Sequence, residues 1–210
     1  MFLVLEGIEG SGKSTQAARL EAWLRRLGHE PVVAREPGGT ALGERIRDAV
    51  LRGGDPVPAR SELLLILAAR AALMDDVVEP ALADGRIVLL DRFELSTFAY
   101  QGYGRGLPLD ELRRLNAFAT GGRRPDLTVV LSVPTSAGEQ RRAARGGAAD
   151  RIEEAGRAFH ERVARGYDEL ARNEPSIEVV DGTATPDAVE ATIRALLGRR
   201  FPETFEAAQG

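Results

Sequence analysis

The chain has 210 residues, 43% of them apolar, and its 32 acidic against 28 basic residues give a formal charge of −4 and a pI near 5.4. That length suits one domain with a sizeable core, and the acidic balance argues against a footprint for nucleic acid or an anionic membrane. No apolar run approaches the roughly 20 residues of a membrane-spanning helix, Glu6 interrupts the first apolar run before it could serve as a signal peptide, and a chain with no cysteine and only His29 and His160 as imidazole donors is not a zinc enzyme; a cytoplasmic protein is expected.

Residues 2–5 are a short apolar run, and from Ser14 to Leu27 apolar residues recur at helical spacing (Ala17, Leu20, Leu24, Leu27). Between them Gly7-Ile8-Glu9-Gly10-Ser11-Gly12-Lys13-Ser14 fits GxxxxGK[ST] in full, in the strand–loop–helix setting that the motif needs. Its glycines let backbone N–H groups converge on a phosphate, and the helix adds the positive end of its dipole. The stretch from Gly7 to Thr15 is therefore the expected ATP site, with Lys13 on the β- and γ-phosphates and the Ser14 hydroxyl on Mg2+. Lys13 is also the only lysine among 28 basic residues, so an Asn-Lys-x-Asp guanine-reading motif cannot exist and a regulatory GTPase is excluded.

Further apolar runs at residues 31–34, 87–90, 127–133 and 177–180 alternate with longer helical stretches. This predicts an α/β protein with a five-stranded parallel sheet covered by helices on both faces. Residues 63–82 form the longest helical candidate, and residues 150–170 a polar amphipathic one that opens on an arginine-rich segment. Nothing resembles an internal repeat or an interdomain linker, so residues 1–198 read as a single domain. Residues 199–210 contain Pro202, lack a strong apolar pattern, and are expected to drape over the surface or fray.

The strand at residues 87–90 delivers Asp91 and Arg92 at its C-terminal end, where open α/β sheets bind ligands. Asp91 can orient Mg2+ or an attacking oxygen, and Arg92 can grip a phosphate bidentately; an ion pair that merely closes the strand is the structural alternative. Phosphoryl transfer needs positive charge closed over the γ-phosphate. Arg141, Arg142, Arg145 and Arg151, around Gly146 and Gly147, offer it as a lid at about residues 141–151, although the same segment alone also reads as a solvated loop.

Gly7 to Thr15, Arg35-Glu36-Pro37-Gly38-Gly39-Thr40, Ala68-Ala69-Arg70, Asp91 to Gln101, Arg124-Pro125-Asp126 and Asp150-Arg151-Ile152-Glu153 together resemble the ordered signatures of bacterial thymidylate kinases. The resemblance implies a P-loop nucleoside-monophosphate-kinase fold with an acceptor region and a lid, a cytosolic homodimer, and transfer of a phosphoryl group from Mg·ATP to thymidine monophosphate. It also implies that Arg92 and Arg47 hold the acceptor phosphate and Arg70 the pyrimidine edge. Ser96, Thr97, Tyr100 and Gln101 would surround the base, with Glu9 and Glu36 near the sugar and metal. Gly10 stands where one subtype carries a loop arginine, so the resemblance assigns that charge to the lid, with Arg142, Arg145 and Arg151 as candidates. One departure concerns the base: the family's aromatic stacking residue is Ile66 here, and no aromatic occurs between Trp23 and Phe93. The alternatives are a kinase of another small acceptor (uridylate, cytidylate or shikimate type) on the same scaffold, or a non-catalytic ATP-binding module; an adenylate-kinase-like reading lacks its expected proline in the phosphate loop.

Overall fold

A computed structural model describes residues 1–53, 55–146, 150–172 and 174–205, with the backbone alone described at Arg145. In chain order the elements are β1 (Phe2–Glu6), α1 (Lys13–Arg26), β2 (Val32–Arg35), α2 (Ala41–Leu51), α3 (Ala59–Leu73), α4 (Glu79–Ala83), β3 (Val88–Asp91), α5 (Glu94–Thr97) and α6 (Leu109–Ala119), followed by β4 (Leu127–Ser132), α7 (Thr135–Arg145), α8 (Arg157–Leu170), β5 (Ile177–Asp181), α9 (Pro186–Arg200) and α10 (Pro202–Phe205). Wide π-helical turns at Met74–Val78 and Phe98–Gly104 join α3 to α4 and extend α5. Among the described residues no helix is long and apolar enough to cross a membrane.

The five strands form one parallel sheet in the order β2-β3-β1-β4-β5. Every residue of β1 is buried, as a central strand covered on both faces requires. Period-two alternation sends Leu3 and Leu5 into a core with Leu20 and Leu24 of α1 and Ile193 and Leu197 of α9, while Phe2 and Val4 join Leu73, Met74 and Val78 on the opposite face. Asp126 pins the start of β1 by accepting the Phe2 N–H at 2.7 Å. The register pairs Leu5 with Asp91, so the phosphate loop that leaves β1 and the Asp91-Arg92 pair that ends β3 emerge side by side.

Strand positions shift by about one residue from expectation, and three segments differ more. The long helix begins at Ala59 rather than at residue 63; its first turn is polar and carries no periodicity, and Pro58 just before it is the start signal. Residues 150–156 are not helical: Asp150 accepts from the N–H groups of Ile152 and Glu153, both at 2.9 Å, to make a turn, and Gly156 at φ 84° separates it from α8. The tail does not drape over the surface as far as it is described. Phe205 is buried and stacks on Trp23 with ring centroids 5.2 Å apart; residues 206–210 lie outside the described residues.

Candidate active site

The phosphate loop folds because its glycines take left-handed backbone angles that other residues rarely adopt: φ is 136° at Gly7, 73° at Gly10 and 101° at Gly12. Gly10 also faces α7 so closely that an added Cβ would strike the carbonyl of Gly138, which leaves no room for an arginine at position 10. Lys13 opens α1 and is buried, and its ammonium donates to the carbonyls of Gly7 (3.0 Å) and Ile8 (2.9 Å) and to Ser11 Oγ (3.3 Å). Burial, reinforced by the nearby Arg92 charge, pulls it from its ordinary 10.5 to about 7. Ser14 Oγ donates to Asp91 Oδ2 at 2.6 Å across the mouth of the loop. A hydroxyl and a carboxylate placed there are hard oxygen donors of the kind Mg2+ takes.

Arg92 follows directly, at a φ of 77° unusual for a residue with a side chain. This turn aims its guanidinium back over the sheet edge. It donates to Gly7 O (3.1 Å), Ser96 Oγ (3.1 Å), Tyr167 OH (3.3 Å) and Tyr100 OH (3.3 Å), and its Cζ lies 5.0 Å from the Tyr100 ring centroid. Beneath it Glu6, fully buried, accepts from the Phe93 N–H (2.8 Å), the Ser96 N–H (3.0 Å), Ser96 Oγ (2.7 Å) and Tyr167 OH (2.8 Å).

All ten candidate acceptor residues, Glu9, Glu36, Arg47, Ile66, Arg70, Arg92, Ser96, Thr97, Tyr100 and Gln101, line one cavity. A second cleft holds Gly10, Gly12, Lys13, Ser14, Thr15, Asp91 and Arg142, and shares Glu9, Glu36, Arg47, Arg92 and Asp150 with the first. Glu36 and Arg70 form a buried pair: Arg70 donates to Glu36 Oε2 from Nε (2.8 Å) and Nη2 (2.6 Å). Arg70 also donates to Asn116 Oδ1 (2.6 Å) and Phe93 O (2.9 Å). Burial pushes the Glu36 carboxyl up and the guanidinium pulls it back. Glu36 Oε1 and Thr97 Oγ1 are buried without a protein partner, so the cavity wall carries polar capacity that the chain does not use. Arg47 donates to Pro37 O at 2.9 Å, and burial beside Arg35 lowers its pKa.

The lid arginines separate. Arg142 faces the phosphate cleft, with Nη1 3.7 Å from Glu9 Oε2. Arg151 turns away: it donates to Glu62 Oε2 (2.8 Å), Val50 O (2.8 Å) and Val57 O (3.3 Å), and lines neither cavity. The Arg145 side chain and Gly147 lie outside the described residues. Glu9 also lies close to Asp150 and Glu153, the carboxylate oxygens all within 4.8 Å of one another, and burial raises its pKa.

Four buried partners escape a reading of the sequence: Glu6, Glu62, Asn116 and Tyr167. Glu62 had a signal, since it stands four and eight residues before Ile66 and Arg70 on one face of α3. Glu6 had a weaker one, an acid ending a strand whose residues are otherwise apolar.

The model of the family described as thymidylate kinase matches residues 5–193. The chain is 49% identical over 201 residues to a thymidylate kinase of Deinococcus radiodurans, covering 95% of this chain and 97% of the relative. It is 46% identical over 214 residues to one of Desulfovibrio desulfuricans, covering 95% and 98%. The crystal structure of thymidylate kinase from Ehrlichia chaffeensis superposes with a TM-score of 0.77 at 30% identity, over 94% of this chain and 97% of that one.

Proposed function

The chain belongs to the thymidylate kinase family and phosphorylates thymidine monophosphate, and we propose that it does so by direct in-line transfer from Mg·ATP within the two joined cavities. The observation that carries this reading is the shared wall. Arg92 and Arg47 border both the acceptor cavity and the phosphate cleft, so an acceptor phosphate held by them would face a γ-phosphate lying on the loop. An oxygen of the acceptor phosphate attacks the γ-phosphorus, the bond from that phosphorus to the β–γ bridging oxygen breaks, and ADP leaves; holding both substrates in reach removes the need for a covalent enzyme intermediate.

In this mechanism Lys13 exchanges its loop carbonyls for β- and γ-phosphate oxygens, and Arg142, with Arg145, supplies charge over the transferred group as residues 141–151 close as a lid. Arg151 anchors that segment from its C-terminal foot. Ser14 and Asp91 would hold Mg2+, which would supply neutralisation of the phosphate charge. Ile66 gives the base an apolar face, Arg70 keeps one N–H for its edge, and Ser96, Thr97, Tyr100 and Gln101 close round it, with Glu9 and Glu36 toward the sugar. Residues 1–198 act as a single cytoplasmic kinase domain. Leu64 on α3 and Leu115 and Phe118 on α6 are 57%, 39% and 90% exposed on two helices that pack together; an apolar surface of this kind supports a homodimer.

The test is ADP release from Mg·ATP with thymidine, deoxyuridine, uridine, cytidine and adenosine monophosphates and shikimate as acceptors. Strong preference for thymidine monophosphate is expected; preference for another acceptor would move the protein to another kinase on this scaffold, and no turnover with any would make it a binding module. Lys13→Ala is expected to abolish transfer.

A further inference from the structure

Beside the acceptor cavity lies a carboxylate with no contact to it. Glu62 is 0% exposed. Its Oε1 accepts from Gln101 Nε2 at 2.8 Å and Arg105 Nε at 3.2 Å, and its Oε2 from Arg105 Nη2 at 3.1 Å and Arg151 Nη2 at 2.8 Å. Gln101 is 1% exposed, borders the cavity, and receives no donor on its own Oε1 from any described residue.

A glutamine amide can present either end to a site, and its hydrogen-bond partners decide which. Both oxygens of this carboxylate accept from guanidinium N–H groups, those of Arg105 and Arg151, so in this ion-paired arrangement it has no proton to give. Only Nε2 can therefore face Glu62, which leaves the carbonyl oxygen as the end offered to the cavity. A carbonyl there accepts from an N–H on the base and rejects a bare ring nitrogen, whose lone pair would oppose it.

We propose that Glu62 is a specificity-positioning residue: by fixing the orientation of the Gln101 amide it makes the site select bases with an imide N–H, as in thymine and uracil, over cytosine, whose corresponding ring nitrogen is an acceptor. The inference rests on reading the cavity as the base site of thymidine monophosphate, and it assigns Glu62 an action through Gln101, not a contact with substrate. Arg105 and Arg151 belong to the same device, because their N–H groups occupy both oxygens of the carboxylate that faces Gln101.

The test compares kcat/KM for thymidine monophosphate with that for 5-methyldeoxycytidine monophosphate, a pair that keeps the 5-methyl group constant and inverts the hydrogen-bonding edge. Glu62→Gln is nearly isosteric, but its amide can donate to Gln101 Oε1 and so permits the opposite orientation. The ratio is expected to fall about tenfold, the size of one lost hydrogen bond, chiefly through a higher KM for thymidine monophosphate. In a Gln101→Leu background the same substitution is expected to leave the ratio unchanged. Should Glu62→Gln fail to fold by circular dichroism, Glu62→Asp retains the charge for both arginines while drawing back from Gln101, and the ratio falls there too. Parallel losses for both acceptors in every variant would mean that Glu62 only supports the fold, and a shift that persists without Gln101 would mean that it does not act through that amide; either overturns the inference. A wild-type protein that turns over neither acceptor overturns the thymidylate reading and this inference together, whereas a wild type that prefers thymidine monophosphate and variants with unchanged ratios overturn this inference alone.

Discussion

Nucleotide binding should draw a proton into the protein, and Lys13 sets how much. Burial brings its ammonium down to about 7 in the ligand-free protein, so it is about half protonated at pH 7 and about one-tenth protonated at pH 8. The polyanionic triphosphate returns it to the charged form, as an opposite charge at contact distance must. Binding of Mg·ATP without acceptor is then expected to take up about 0.1 proton per molecule at pH 6, about 0.5 at pH 7 and about 0.9 at pH 8. Over the same range affinity weakens toward a limit of about tenfold, or roughly 1.4 kcal/mol, per pH unit. The sign for folding follows from the same shift. The unfolded chain holds this proton up to about 10 while the native one releases it near 7, so this group's contribution to stability rises with pH between those limits and its penalty is fully present below them. Calorimetric titrations at pH 8 in buffers of contrasting ionisation enthalpy measure the uptake, and Lys13→Arg, whose guanidinium stays charged throughout, should abolish it. Binding heats identical in all buffers, or an uptake that survives in Lys13→Arg, would refute the reasoning.

Arg92→Ala should raise KM for the acceptor by about tenfold or more, the scale of a charge-assisted hydrogen bond to phosphate, while Mg·ATP affinity changes by less than about threefold; unchanged acceptor kinetics would remove the role assigned to it. Since φ is 77° at this position, Arg92→Gly should be the more stable of the two variants by about 1 kcal/mol in thermal denaturation. Ile66→Phe adds a ring where the cavity has an aliphatic face, and a lower KM for thymidine monophosphate by about two- to tenfold is expected from stacking; a raised KM would mean that the site is overpacked instead. Phe205→Ala should cost about 3–4 kcal/mol in urea denaturation with kcat per folded molecule unchanged, because its ring packs on Trp23 in the core formed by α1 and α9.

The sequence made plain those features whose physics is local. The phosphate loop is one, because its geometry depends on three glycines and the start of a helix within eight residues of chain. The alternation of apolar runs and helical stretches was enough for the parallel sheet, with errors where a first turn is polar, as at Ala59, or where a single aromatic carries the burial, as at Phe205. What stayed hidden depends on pairings across the fold. Glu6 meets donors from Phe93, Ser96 and Tyr167, and Glu62 claims Arg151 from 89 residues away. Arg151 therefore reads as a third lid arginine in the sequence, beside Arg142, and only its distant partner sets it apart.

The commitments of Arg70 bear on any attempt to change what this enzyme accepts. It is the bulkiest of the fully buried side chains, and four of its five N–H groups are engaged by Glu36, Asn116 and Phe93. Replacing it would strand Glu36 as a buried, unpaired carboxylate, a change costing about 3–5 kcal/mol, so a mutant library would register the position as intolerant before its effect on the base could be assayed. Redesign of acceptor choice has more freedom at Ile66 and Thr97, where the wall can change shape without dismantling an ion pair. In the proposed reading recognition and folding share one guanidinium, and selection for a new substrate would meet the limit on stability first.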